Sequence, residues 1–473
     1  SNASTHDAFR DQGYTRVGGN LTIAWATLTD LDDLWSLEQI DGGLNINNCT
    51  ALTDVSGLSN LTSVGTYFQL NNSDSLTSLA GLAFAGALSS YISFAGNDAL
   101  ENLSGLEGIT AAGNYVDISS NPVLENTSGL ANLATIATYL NVYNNGDSSV
   151  AASPAYVFAG LTSIGDYVRI QSNGTVETAT LGATGLPMTI GTTGATNYLY
   201  VDYNAKLINF NADGVTQVVS EVRVNDNNSL ETISMKALGD IGSRLYVQSN
   251  AKLAAFDMPA LSTIGTHISI ASNGAGSVAA APSYAFPGLT AVADYVSVSG
   301  NGTVESLVLG SGVATLTIGG TGGSKYLNIV SNAALELIDA DAIASVGNYV
   351  SLTSNAKLAY VNMSGLATIG TYLYVYNNGG GVNTGSSPDP LYTWSGLTTV
   401  GDYVRIQSNG TVETVTLGAT GLPMTIGTTG VTNYLYVDYN TKLATFAADG
   451  LTEIGSTLRL DNNNELIAIG DFP

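Results

Sequence analysis

A single motif, Y-[LVI]-x-[IVL]-x-x-N, recurs through the 473-residue chain and limits what it can fold into. Its first position, tyrosine or a substitute, falls at 20, 43, 67, 91, 115, 139, 167, 198, 221, 244, 267, 295, 326, 349, 372, 403, 434 and 457. Successive starts lie 23 or 24 residues apart, lengthening to 28 or 31 only within 139–197, 267–325 and 372–433. A period that never drifts describes units that bury their apolar faces against copies of themselves. The expectation is one continuous solenoid of eighteen coils over 20–473, with a lead-in at 1–19. Ser1-Asn2-Ala3 reads as an expression-tag remnant, with any leader removed before it.

Within each coil the second and fourth motif positions are apolar and their neighbours polar, as in Val116 and Ile118 or Leu199 and Val201. That period of two marks a strand with one buried face. Between the early strands the period becomes three: Leu28, Leu31, Leu34, Leu37 and Ile40, then Leu52, Val55, Leu58, Leu61 and Val64. Neither a long helix nor a strand has that spacing; short extended or 3₁₀ pieces bending around a narrow core do. Consecutive strands travel the same way around the coil. The fold class is therefore all-β, a parallel β-helix-like solenoid, and the crossover rule favours a right-handed wind.

The phrases GLTSIGDYVRIQSN, GLATIGTYLYVYNN and FPGLTAVADYVSVSGN resemble the L-domain repeat of insulin- and epidermal-growth-factor-type receptors, shared with fungal cell-wall and bacterial surface proteins and related to leucine-rich repeats. The resemblance spans nearly everything after residue 17 and implies a surface-exposed solenoid. Receptor L domains are short and disulfide-capped. This chain has many more coils and one cysteine, so no hormone-binding residue carries over.

Composition excludes several functions. Asp and Glu number 38 against 13 Lys and Arg, a net charge of -25, which opposes nucleic acid and anionic membrane surfaces. Cys49 is the only cysteine, and His6 and His267 are far apart. Neither a metal cage nor a Ser-His-Asp relay has the residues it needs, so no metal or cofactor is expected. No apolar run reaches 18 residues, so no helical membrane insertion is expected. The Gly-rich TIGTTG and TIGGTGG lack the lysine of a phosphate loop.

Three ladders run along the coils. The last motif position is asparagine at 97, 121, 145, 173, 204, 227, 250, 273, 301, 332, 355, 378, 409, 440 and 463. Stacked amides satisfy one another and the corner backbone, so Asn97, Asn121, Asn145, Asn173, Asn204, Asn250, Asn301, Asn355, Asn409 and Asn440 are assigned to structure. Coils 2 and 3 place Cys49 and Ser73 there, and Cys49 is read as a buried small residue. Twelve coils open on tyrosine, read as a self-stacking column. The outward residue between the buried pair varies most. A polar row gives way to Arg169, Tyr200, Arg223 and Tyr246, relaxes to Ser269, Ser297, Asn328 and Ser351, then returns as Tyr374, Arg405, Tyr436 and Arg459. The next outward row adds Tyr143, Gln171, Asp202, Tyr376, Gln407 and Asp438, and an outward Asp202 is expected to tolerate asparagine. Stretches 166–206 and 402–442 differ only at Ala179/Val415, Ala195/Val431 and Ala205/Thr441. A third copy, 294–325, has lost the arginine.

Aromatic faces mixed with Arg, Gln and Asp suit a sugar- or protein-binding surface. The leading expectation is a secreted or cell-surface, non-catalytic binding or adhesion solenoid. Its partner would be a glycan or protein on a cell or matrix surface. Alternatives are a carboxylate-dependent polysaccharide-degrading β-helix using Asp202 with Asp226 or Asp438 with Asp461, an inert spacer of a larger surface protein, and an ice-binding face of Thr62, Thr110, Thr162, Thr290, Thr398 and Thr452.

Overall fold

The computed structural model describes residues 12–194, 196–275, 282–311, 315–320, 322–380, 389–427 and 431–470; the tag-like start and His6 lie outside them. The chain is an all-β parallel solenoid of about eighteen turns. It divides into two compact units, Ser1–Ala237 and Leu238–Pro473.

In the first unit the motif strands run from Leu21–Ile23 to Glu221–Asn225. Each residue pairs with its equivalent one coil on, as in Val168 with Leu199, Arg169 with Tyr200, Ile170 with Val201 and Gln171 with Asp202. Alternation decides what is buried: Leu199 and Val201 are wholly inside. A second side is built of very short strands such as Ser163–Ile164 and Met188–Ile190. The third side changes along the unit. In early coils it contains the 3₁₀ turns Asp32–Leu34, Ser56–Leu58 and Ser128–Leu130, matching the leucine spacing of three; Leu31, Leu34 and Leu37 are buried while Leu28 is half-buried. From Ala155–Phe158 onward, strands take that side over and form a third parallel sheet.

The second unit keeps all three sheets throughout. Motif strands run from Arg244–Gln248 to Thr457–Asp461, the second side from Asp240–Ile241 to Leu451–Ile454, and the third from Ala255–Asp257 to Ala468–Ile469. The core is aliphatic with large aromatic inserts. Trp394 and Tyr392 are fully buried edge to face, and the Tyr392 hydroxyl donates to the Leu358 carbonyl at 2.9 Å, which satisfies a group whose burial alone would be costly.

The asparagine position closes each corner. In the first unit Asn204 Nδ2 donates to Asn227 Oδ1 at 3.1 Å and to the Ile170 carbonyl at 2.9 Å, while its backbone N–H also reaches Asn227 Oδ1 at 2.9 Å. Side-chain bonds of this kind run unbroken from Asn97 to Asn227 and, in the second unit, from Asn250 to Asn463. Cys49 is buried, its Sγ 3.5 Å from the Ile23 carbonyl.

The tyrosines form a column in each unit. Centroids from Tyr67 to Tyr198 are separated by 4.8, 4.9, 4.9, 4.8 and 4.7 Å with nearly parallel planes. That is the distance between neighbouring strands, so each ring takes its spacing from the backbone beneath it. Burial pushes the Tyr167 phenol up to about 12.

Candidate functional site

The outward rows of the duplicated stretches fold into compact clusters. In the first unit, strand Tyr198–Asp202 lies between Val168–Gln171 and Glu221–Asn225. Tyr198 and Tyr200, two residues apart on one strand, point the same way and their rings stack at 3.8 Å. The Arg223 guanidinium lies 3.7 Å over the Tyr200 ring, and its Nε donates to Asp202 Oδ2 at 2.7 Å while a terminal nitrogen reaches the same oxygen. Asp202 Oδ1 accepts from the Asn225 backbone at 3.1 Å. One strand earlier, Arg169 lies 4.5 Å over Tyr143 and its Nε donates to Gln171 Oε1 at 2.5 Å.

The second unit repeats the pattern less tightly. Tyr434 and Tyr436 stack at 4.0 Å, Arg459 lies 5.2 Å over Tyr436, and Arg459 pairs with Asp438 and sits 3.8 Å from Asp461. Arg405 lies 5.7 Å from the Tyr374 ring, and Tyr374 stacks on Tyr376 at 5.7 Å. Arg405 Nε and Gln407 Oε1 are buried without hydrogen-bond partners, unlike Arg169 and Gln171. Tyr246 is not part of such a cluster: its hydroxyl is 2.9 Å from His267 Nε2. His267 replaces tyrosine in the column and stacks on Tyr295 at 4.3 Å. Burial, then Arg244, holds this imidazole below its ordinary value.

Asp202 and Asp438 depart from the sequence expectation. Parity does put them on the outward side, yet their exposures are 0% and 1%, because the arginine of the next strand folds down over each carboxylate. Burial pushes the Asp202 carboxyl up against the opposing pull of Arg223, and Asp438 shifts the same way, for the same first cause, with Arg459 opposing. Each carboxylate is held in an ion pair and has no open face for a water or a scissile bond.

Two residues that sequence reasoning passed over stand beside these clusters. The residue before the corner asparagine or its substitute has φ between 52° and 66° in every coil from Asn48 to Asn462. Fifteen of those coils use Asn, Ser, Gly or Asp, which enter the left-handed region most easily or carry small side chains; Tyr203 at 57° and Tyr439 at 58° are the exceptions. A bulky residue there costs about 1–2 kcal/mol. Both rings are exposed, 56% and 48%, whereas the column tyrosines are half-buried. The signal in the sequence was the odd aromatic in a row of small polar corners.

Asp166, Asp294 and Asp402 were passed over as well. Asp166 Oδ1 accepts from the Thr196 backbone at 3.0 Å, the Thr196 hydroxyl at 2.8 Å and the Asn197 backbone at 2.9 Å. Asp402 holds Thr432 and Asn433 alike, and Asp294 holds Ser324 and Lys325. These aspartates anchor the residues inserted before Tyr198, Tyr326 and Tyr434. A second insertion makes a small ledge in each duplicate through the antiparallel bridges Ala183–Leu186 and Ala419–Leu422. The threonines weighed as an ice-binding row turn back to the fold, since Thr62, Thr162, Thr290, Thr398 and Thr452 donate to carbonyls of the preceding coil.

No protein-family model and no curated protein matches the sequence. Among the described residues, no group of three or more His, Cys, Asp or Glu could hold a metal ion, and no helix is long and apolar enough to cross a membrane.

Proposed function

We propose that this protein is a secreted or cell-surface solenoid that binds or adheres without catalysis, recognising a glycan or a protein through its outward Tyr/Arg rows. The observation that carries this reading is positional. The motif strands pair residue for residue from coil to coil, so a row needed only for stiffness has no reason to change identity. Ser269, Ser297, Asn328 and Ser351 fill the same places with far less side chain. Concentrating aromatic and arginine side chains on a few strands is what binding hot spots require. The likeness to receptor L-domain-like repeats belongs to the same reading, as does the surplus of negative charge, which keeps an extracellular surface soluble in salt. The polysaccharide-degrading alternative is weakened by Asp202 and Asp438, both tied to arginine.

Arrays of glycans and proteins identify the ligand, and calorimetry then reads the sites. Arg405→Ala with Tyr436→Ala is expected to halve the stoichiometry, and adding Arg169→Ala and Tyr200→Ala to abolish binding. A folded quadruple variant that binds like the parent overturns the role of these rows, and a parent that binds nothing on the arrays leaves the inert spacer. Polysaccharide cleavage that disappears in Asp202→Asn with Asp438→Asn puts the enzyme first.

A further inference from the structure

We infer that the corner tyrosines Tyr203 and Tyr439 are sugar-stacking platforms for a neutral hexose polymer. This deepens the binding reading by naming a ligand class, and it rests on residues outside the Tyr/Arg rows. Three observations lead there. Both rings sit on backbone in the left-handed region, a conformation that the other coils assign to Asn, Ser, Gly or Asp. Folding alone would select one of those residues, so a tyrosine kept there is maintained against the local backbone preference. Both rings are also exposed, and among the described residues neither stacks on another ring nor receives a cation. They differ in this from Tyr198, Tyr200, Tyr434 and Tyr436, whose faces are taken up by ring stacking or by arginine. Finally, the neighbours on the same corner are small or polar. Ser172 precedes and Asp226 follows Tyr203, and Ser408 precedes and Asn462 follows Tyr439, with exposed Lys206 and Lys442 three residues on.

An open aromatic face bordered by a carboxylate or amide and an ammonium matches a pyranose. The C–H face of the sugar lies on the ring, and its hydroxyls donate to Asp226 or Asn462 and accept from Lys206, whereas Lys442 already donates to Glu465 at 2.8 Å. A protein partner would need a continuous patch of roughly 800 Å² per side, of which one isolated ring is a small part. An anionic polymer would meet a chain of net charge -25. The duplication copied Tyr203 and Tyr439 together, while the coil that ends the looser third copy has Ser331 in this place.

The test titrates soluble neutral polysaccharides, a β-glucan, a mannan and a galactan, against the parent, Tyr203→Asn with Tyr439→Asn, and the Arg169/Tyr200/Arg405/Tyr436 quadruple alanine variant. Asparagine suits the left-handed corner, so the first variant is expected to melt higher than the parent yet bind at least about tenfold more weakly. That loss, with binding kept by the quadruple variant, supports the corner platform and overturns the row reading. Loss in both variants supports both. Binding that survives Tyr203→Asn with Tyr439→Asn overturns the corner proposal. So does failure of all three polymers to bind the parent, while a protein ligand found on the arrays would leave the row reading standing.

Discussion

At the scale of single residues, the fold depends on positions where one polar atom satisfies several others. Asn204 provides a carboxamide to two coils at once and is wholly buried. Asn204→Leu keeps the volume and removes both functions, leaving the Ile170 carbonyl and the Asn173 backbone N–H without their partners. A loss of about 1–3 kcal/mol is expected in urea unfolding; equal stability would show that water replaces the amide. Asp202→Asn, two residues away, is no longer a neutral control. It weakens the charged bond to Arg223, so it too should destabilise, and a double-mutant cycle with Arg223→Leu should reveal coupling between the two. The alternation of side chains made the outward parity of Asp202 legible. Its burial was not, because that depends on which way a flexible arginine 21 residues further along leans.

At the scale of strands and coils, the architecture was readable because every coil poses the same packing problem and solves it with the same residue types. The period of two gave the motif strands. The period of three gave the early 3₁₀ turns at Asp32–Leu34, Ser56–Leu58 and Ser128–Leu130. Local insertions were harder, since their residues repeat only three times. Yet aspartate stands directly before the motif tyrosine only at 166, 294 and 402, and in each case the next coil begins 31 residues on. The structure supplies the reason: the carboxylate gathers the N–H groups of the inserted segment. Burial raises the Asp166 and Asp402 carboxyls, but the Thr and Asn donors outweigh it and the net shift is downward. A carboxylate depressed on folding stabilises the native state above its unfolded value near 4, and that contribution fades as pH falls through the folded value. The parent should therefore exceed Asp166→Asn with Asp402→Asn in melting temperature at pH 7, and the gap should narrow by pH 3. A gap independent of pH would mean that the donors bind amide and carboxylate equally well.

At the scale of the whole molecule, charge sets a condition that no single contact can remove. If each of the 13 basic side chains took one carboxylate, 38 - 13 = 25 acidic groups would still have no cation. In-register stacking aggravates this by placing like residues on adjacent coils. The Asp74 carboxyl, raised first by burial, is raised further by Asp98 one repeat along. Repulsion of this kind acts over the screening length, about 30 Å at 0.01 M ionic strength and 3 Å at 1 M. The ion pairs seen here oppose it only locally, and exposed ones such as Lys442–Glu465 contribute little. Self-repulsion should therefore outweigh attraction in the salt response. At pH 7 the melting temperature should climb as sodium chloride rises from 0.01 to 0.5 M, and at pH 4, with many carboxylates protonated, the climb should be smaller. Replacing chloride by sucrose at matched osmolality separates screening from a general exclusion effect. A melting temperature that falls with salt would mean that the arginine-centred clusters dominate over the self-repulsion of the acidic surface.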